Sequence, residues 1–257
     1  LTSFLLGDLG LTWREAYLLF GVLIILINIP VVYLFIVDKP SDINQIPDGE
    51  EITDNSEDTL GVDWTIQDLL KDRNFWILSL VFAIQFCSMM GILSHLTFFS
   101  EGAGWSQAWG AFIFSMYAWP AMFSKVFFGW LVENKIDARL AVSIAVLIQA
   151  IATLLMIFVE SPEQMVVLVM IFGFGGGSAL PLSNILFNQA YTNKSFGKAR
   201  GAAQPFISIF QISGTLVAAR MFDVFGNYEL AFLTLGFILI VPLIAIWFLK
   251  EEPKLAS

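Results

Sequence analysis

Apolar side chains run through this chain in long blocks, without the strict alternation of a strand or the narrow stripe of a soluble helix. Seven blocks reach the length of about 20 residues that a helix needs to cross a bilayer. They are 16–37, 75–99, 108–132, 138–159, 165–191, 202–222 and 230–249. Short connections rich in turn residues join the last six, as in Glu101-Gly102-Ala103-Gly104, Glu160-Ser161-Pro162-Glu163 and Gly226-Asn227. The pattern predicts an all-α membrane protein with seven transmembrane helices. The stretch 1–11 is too short to span and reads as the tail of a preceding helix. With Leu1 first and no signal-peptide pattern, the chain reads as one whose N-terminal part is missing.

One long polar connection, 39–73, divides the first helix (1–38) from a block of six (74–257). Pro40, Pro47 and Gly49 interrupt it, and it reads as a mobile, acidic linker. Its end differs. Thr65 and Asp68 have the spacing of a capping box, which predicts a short amphipathic helix lying along the membrane surface before Phe75.

Composition supports the membrane reading. The chain is 57% hydrophobic and 14% charged, against about 25% charged in soluble domains. The formal net charge of −9 comes largely from the linker, because 11 of the 22 acids lie between Asp38 and Asp72. No basic stripe exists, so a nucleic-acid partner is not expected. Cys87 stands alone in an apolar run and reads as a small buried hydrophobe. With one histidine and no cluster of ligands, no metal site or cofactor is expected. The helices hold no paired carboxylates, nucleophile arrangement or nucleotide loop, so the chain does not read as an enzyme or an ATP-driven pump.

The positive charges orient the chain. With the linker in the cytoplasm, Lys39, Lys71, Arg73, Lys135, Arg139, Lys194, Lys198, Arg200, Lys250 and Lys254 all fall inside and only Arg14 outside. Lys125 and Arg220 fall within helices. The linker and the C-terminus are therefore expected to be cytoplasmic.

Lys125 is the most informative of the embedded residues. A charge at the centre of a spanning helix costs roughly 2.5–3.5 kcal/mol, so it needs a purpose. Gly129 follows four residues later, then Glu133, Asn134 and Lys135. One reading aims Lys125 at an interior cavity; the other lets it snorkel to the headgroups or pair with a neighbouring helix. Gln85, Ser88 and His95 share a predicted helix within a sector of about 80°. They read as a polar stripe on a cavity, with His95 as substrate ligand or proton carrier, or as locally bonded groups. Asn184, Asn188, Gln204, Ser208 and Gln211 line a cavity or bond neighbouring helices. Tyr117 and Trp119 shape a pocket near Lys125 or pack against lipid. Arg220 is explained by an i,i+3 pair with Asp223.

Two charged turns fall on the cytoplasmic side. One carries Gly129, Glu133, Lys135 and Arg139, with Gly129 open to close helix approach and the charges forming a latch or an ordinary headgroup anchor. The other carries Gly197, Lys198 and Arg200. Upstream, Gly173-Phe174-Gly175-Gly176-Gly177, with Pro181 after it, reads as close helix packing or a discontinuous helix, not a phosphate loop.

Trp13-Arg14-Glu15-Ala16-Tyr17, Phe75-Trp76, Gly129-x-Leu131 with its charged turn, Phe196-Gly197-Lys198-Ala199-Arg200-Gly201 and Asp223-x-x-Gly226-Asn227-Tyr228 occur in that order. Together they resemble the major facilitator superfamily, in its monocarboxylate-transporter and oxalate–formate-antiporter-like branch. The resemblance covers essentially the whole chain, as helix six, the central loop and helices seven to twelve. It implies a twelve-helix fold of two pseudo-symmetric six-helix bundles, working by alternating access around a midplane site, of which the C-terminal bundle is complete here. In that branch an arginine four residues before the glycine of helix eight is implicated in binding the substrate carboxylate. The matching position is Lys125, which keeps the charge without the bidentate fork. The signature turn departs at Glu133, where Asp is usual, and at Asn134, where a base is usual.

The function expected is secondary transport of small organic anions, foremost monocarboxylates, in a cytoplasmic or plasma membrane. The partners are the anion, the bilayer, and a proton or counter-anion for coupling. Gly129, Glu133, Lys135, Arg139, Gly197, Lys198 and Arg200 would serve gating. The rival readings are an exporter of drugs or other amphipathic compounds and a transport-inactive sensor or scaffold.

Overall fold

The computed structural model describes residues 12–35 and 63–250, and among them every regular element is helical. The chain divides into two compact units between Asp58 and Thr59. The linker's acidic middle, the stretch 1–11 and Lys254 lie outside the described residues.

The first unit contributes α1 (Trp13–Phe35). It opens on a reciprocal cap: the Thr12 amide donates to Glu15 Oε2 at 2.8 Å, and the Glu15 amide donates to Thr12 Oγ1 at 3.4 Å. Apart from the half-buried Phe20, its large apolar side chains from Tyr17 to Leu34 are exposed, as a helix that meets lipid or other helices requires.

The second unit runs α2 (Ile66–Lys71), α3 (Arg73–Leu93), α4 (Leu96–Gly102), α5 (Gln107–Met116), α6 (Ala118–Asn134), α7 (Ala138–Leu155), α8 (Pro162–Gly177), α9 (Ala179–Phe225), α10 (Glu229–Phe237) and α11 (Ile240–Ala245). The capping box predicted for α2 is present, with Thr65 and Asp68 bonded reciprocally. Six segments are long and apolar enough to cross a membrane: Arg73–Gly102, Gln107–Asn134, Ala138–Phe158, Pro162–Tyr191, Lys194–Phe225 and Glu229–Phe248. They match the six predicted blocks, with Trp13–Leu34 as the seventh.

Four of the predicted single helices are broken, and proline accounts for three of the breaks. A proline inside a helix removes one N–H and its ring collides with the carbonyl four residues earlier. Those carbonyls belong to Met116, Gly177 and Ile238, for Pro120, Pro181 and Pro242. Helices α5 and α8 end at Met116 and Gly177, and Ile238 caps α10. The hydrogen-bond ladder of each following helix resumes with the residue after the proline: Ala121, Leu182 and Leu243 donate to Tyr117, Ser178 and Leu239 at 3.3, 3.0 and 3.4 Å. The fourth break, at Ser94-His95, has no proline. There Ser94 Oγ donates to the Met90 carbonyl at 2.6 Å, a side-chain bond of the kind that bends helices.

Helix α9 is helical over 47 residues but is not one rod. Arg200 Nε donates to Asn184 Oδ1 at 3.2 Å, whereas sixteen residues of straight helix would separate them by about 24 Å. The chain therefore reverses between Asn184 and Arg200. The stretch 196–201, predicted as a turn, keeps helical backbone.

The glycine run of α8 brings helices together on two sides. A methyl group added at Gly177 would clash with Ala121, and one at Gly173 would lie 2.6 Å from the Tyr117 carbonyl. On the other side, one at Gly175 would lie 2.6 Å from the Ala145 carbonyl on α7. The run thus serves close packing, and α8 also ends at its last glycine, so both uses the sequence allows are present. Since Tyr117 meets Gly173 and Ala121 meets Gly177, α6 and α8 run parallel in a fixed register.

Candidate functional site

Helix α6 buries Ala121, Ser124 and Phe128 and leaves Lys125 exposed. Lys125 lies one turn beyond Ala121, so the α6–α8 register places it level with Pro181, one turn beyond Gly177. It makes no hydrogen bond or ion pair with any described residue. Tyr117 is turned into the bundle: its hydroxyl donates to Met89 Sδ at 3.1 Å and its ring centroid lies 6.0 Å from that of Phe172. Trp119 is exposed.

Both arms of the α9 hairpin carry a polar ladder. Arg200 Nε donates to Asn184 Oδ1 at 3.2 Å, and its Nη1 donates to Gln204 Oε1 at 3.3 Å. Gln204 Nε2 then donates to Ser208 Oγ at 3.3 Å. The guanidinium sits 5.5 Å from the Phe187 ring centroid. Gln211, three residues past Ser208, continues the same stripe and is half-buried. Asn184, Asn188 and Gln204 are exposed. Arg200 was expected in a connecting turn; it lies in the helical span Lys194–Phe225 instead.

Gln85 and His95 do not form one stripe. Gln85 is buried and donates through Nε2 to Gln149 Oε1 at 3.3 Å, while Gln149 Nε2 donates to the Gln85 carbonyl at 3.3 Å. Gln149, polar in the apolar run of α7, carried the same signal as Gln85 and was missed in the sequence. His95 stands past the end of α3, in the Ser94-His95 break, which removes it from that helix face. Its Nε2 lies 3.2 Å from the Thr215 carbonyl and its Nδ1 3.1 Å from the Tyr228 hydroxyl. A carbonyl only accepts, so Nε2 carries a proton; in the neutral ring Nδ1 then accepts from the Tyr228 hydroxyl. His95, Phe98, Glu101, Phe222, Asp223 and Tyr228 line an open cleft of about 400 Å³. Burial, and then the charge of Asp223, push the Tyr228 hydroxyl up. The expected Arg220–Asp223 ion pair is not formed; Asp223 lines the cleft instead.

Among the turn residues, Gly129 has open space where its side chain would stand, so the close helix approach expected there is not made among the described residues. Glu133 and Lys135 are exposed. Asp137 caps α7, accepting from the Arg139 amide at 2.7 Å and from Arg139 Nε at 3.2 Å. Its partial burial opposes ionisation, but the Arg139 bonds prevail and hold the carboxyl below the ordinary value. Gly197 is exposed. Lys198 pairs with Asp63 at 2.5 Å, and the Trp64 amide donates to Ser195 Oγ at 2.9 Å. The Trp64 ring packs edge-on to Tyr191, whose hydroxyl donates to Asp72. The described end of the linker is thus strapped to the α9 reversal, a contact that distant sequence positions did not reveal.

The structure therefore brings Arg200, Asn184 and Gln204 together, sets Lys125 near their depth, and places Gln85 and His95 elsewhere. No group of three or more potential metal ligands occurs among the described residues.

A family model, the Major Facilitator Superfamily, matches residues 1–135 and 110–257, which together cover the chain. The fold is also similar to a solved structure described as the in meso crystal structure of the POT family transporter PepTSo. The TM-score is 0.58 at 18% identity, over 71% of this chain and 39% of that one. The chain thus spans 39% of that transporter's length. No curated protein matches the chain.

Proposed function

The chain belongs to the Major Facilitator Superfamily, and from that membership we propose that it is part of a secondary transporter of small organic anions, monocarboxylates foremost. The observation that carries this reading is Lys125: a cation within the span Gln107–Asn134, exposed, and without an ion-pair partner among the described residues. Besides snorkelling to the headgroups, a lysine so placed lowers its energy in a water-filled pathway or beside an anion that travels through it. Alternating access supplies both in turn.

Within the superfamily we place the chain in the monocarboxylate-transporter and oxalate–formate-antiporter-like branch, on its ordered motifs and on the Lys125–Gly129 spacing. We read the membrane as a cytoplasmic or plasma membrane, and the bias of Lys and Arg puts the linker and the α9 reversal on its cytoplasmic side. Lys125 attracts the carboxylate as a point charge. The breaks at Met116, Gly177 and Ile238 divide the helices into shorter rigid pieces that can rock. Coupling comes from a proton or from a counter-anion moving the other way.

The test is flux by the full-length protein in proteoliposomes, with radiolabelled lactate, formate and oxalate set against a lipophilic dye. Saturable carboxylate flux with no dye transport is the expected result. Dye movement without carboxylate flux would establish the exporter reading, and neither would leave a sensor or scaffold.

A further inference from the structure

We propose that Arg200 is a second anion-binding position, which holds the carboxylate of the transported anion between Lys125 and the aqueous phase on the side of the α9 reversal. The proposal rests on the anion-transport reading above and adds a residue on a different helix.

The first argument is electrostatic. Arg200 lies two residues past Lys198, near the start of the helix Lys194–Phe225, and is half-buried. Its contacts are all neutral: Asn184 Oδ1, Gln204 Oε1 and the face of the Phe187 ring. No carboxylate pairs with it among the described residues. A guanidinium has five N–H donors, and two neutral acceptors leave an edge of the fork and the whole charge unanswered. A half-buried cation at the mouth of an apolar span is placed to meet an anion entering or leaving it, and a planar fork suits a carboxylate better than any other side chain does.

The second argument is preorganisation. Asn184 holds Nε, Gln204 holds Nη1, and the Phe187 ring lies beside the guanidinium. The side chain is fixed across both arms of the hairpin, so little freedom is left to lose when an anion binds.

The third argument is depth. Lys125 is level with Pro181, and Arg200 bonds to Asn184, three residues on, or about 5 Å along the axis. Because the chain reverses, Gln204 climbs one turn back toward the level of Lys125, and Ser208 and Gln211 continue the stripe. An anion leaving Lys125 toward the reversal meets this second cation about 5 Å on, while Ser208 and Gln211 line the opposite side of Lys125, away from the reversal.

The plain alternative is that Arg200 anchors the hairpin to lipid phosphate. Sidedness separates the two. Full-length Arg200→Gln and Arg200→Lys proteins are reconstituted, and KM for radiolabelled lactate and oxalate is measured from each face. In Arg200→Gln, KM is expected to rise about tenfold on the reversal face and less than about twofold on the other, as loss of a charge-assisted bond implies. In Arg200→Lys, which keeps the charge and carries the test if the glutamine variant does not fold, a rise of about threefold is expected on the same face alone. Wild-type KM on both faces, or an equal change on both, overturns the proposal. Flux lost in Lys125→Ala but unchanged in Arg200→Gln defeats this inference alone. Absence of anion flux in the wild type defeats the anion reading and this inference with it.

Discussion

The carbonyl oxygen of Tyr117 lies 2.6 Å from where a methyl group on Gly173 would stand. That contact, repeated one turn later between Ala121 and Gly177, locks α6 to α8 and fixes the depth of Lys125. Both partners are backbone or near-backbone atoms, so neither can move aside by changing rotamer.

Gly173→Ala is therefore expected to destabilise the bundle by about 1–3 kcal/mol, the usual range for overpacking. Thermal unfolding in detergent measures it. An unchanged midpoint would mean that the two helices are free to separate.

His95 ties the α3–α4 break to α9 and to Tyr228 through both ring nitrogens. His95→Gln can replace one of those bonds at most, so a loss of about 1 kcal/mol is expected, with the pH profile of uptake unchanged. A profile flattened by the substitution would instead make His95 a proton carrier.

The strap at the α9 reversal depends on Asp63, whose carboxyl is held below its ordinary value chiefly by the bond from Lys198. A depressed carboxylate contributes fully above the ordinary aspartate range and loses its contribution as pH falls through the lowered value. Hydrogen exchange at 195–198 should thus stay slow from pH 7 to pH 5 and quicken relative to its intrinsic rate below about pH 4. Asp63→Asn should show the faster exchange at every pH. Identical protection in that variant would show that the strap is held by Trp64 and Tyr191 alone.

The spans were legible because bilayer length and apolarity are properties of contiguous residues. The α2 cap was legible for the same reason, since Thr65 and Asp68 are three apart. The breaks were less so, although Pro120, Pro181 and Pro242 stood in plain view. Pro30 sits inside α1 and Pro205 inside the second arm of α9 with helical backbone on both sides, so a proline marks where a helix can break without deciding that it does. Partnerships between helices were beyond reach. Nothing local says that Gln85 faces Gln149, or that Asp63 finds Lys198 135 residues away. Arg200 was assigned to a loop because charge and glycine usually signal one, while here the helical backbone runs through the reversal.

Lys125 carries the central claim, and uptake of labelled carboxylate by full-length Lys125→Ala and Lys125→Arg tests it most directly. With protein levels and unfolding temperatures matched to wild type, the account predicts loss of at least about tenfold in kcat/KM for the alanine variant. It predicts retention of most activity in the arginine variant, which keeps the cation. Wild-type uptake by Lys125→Ala would contradict it.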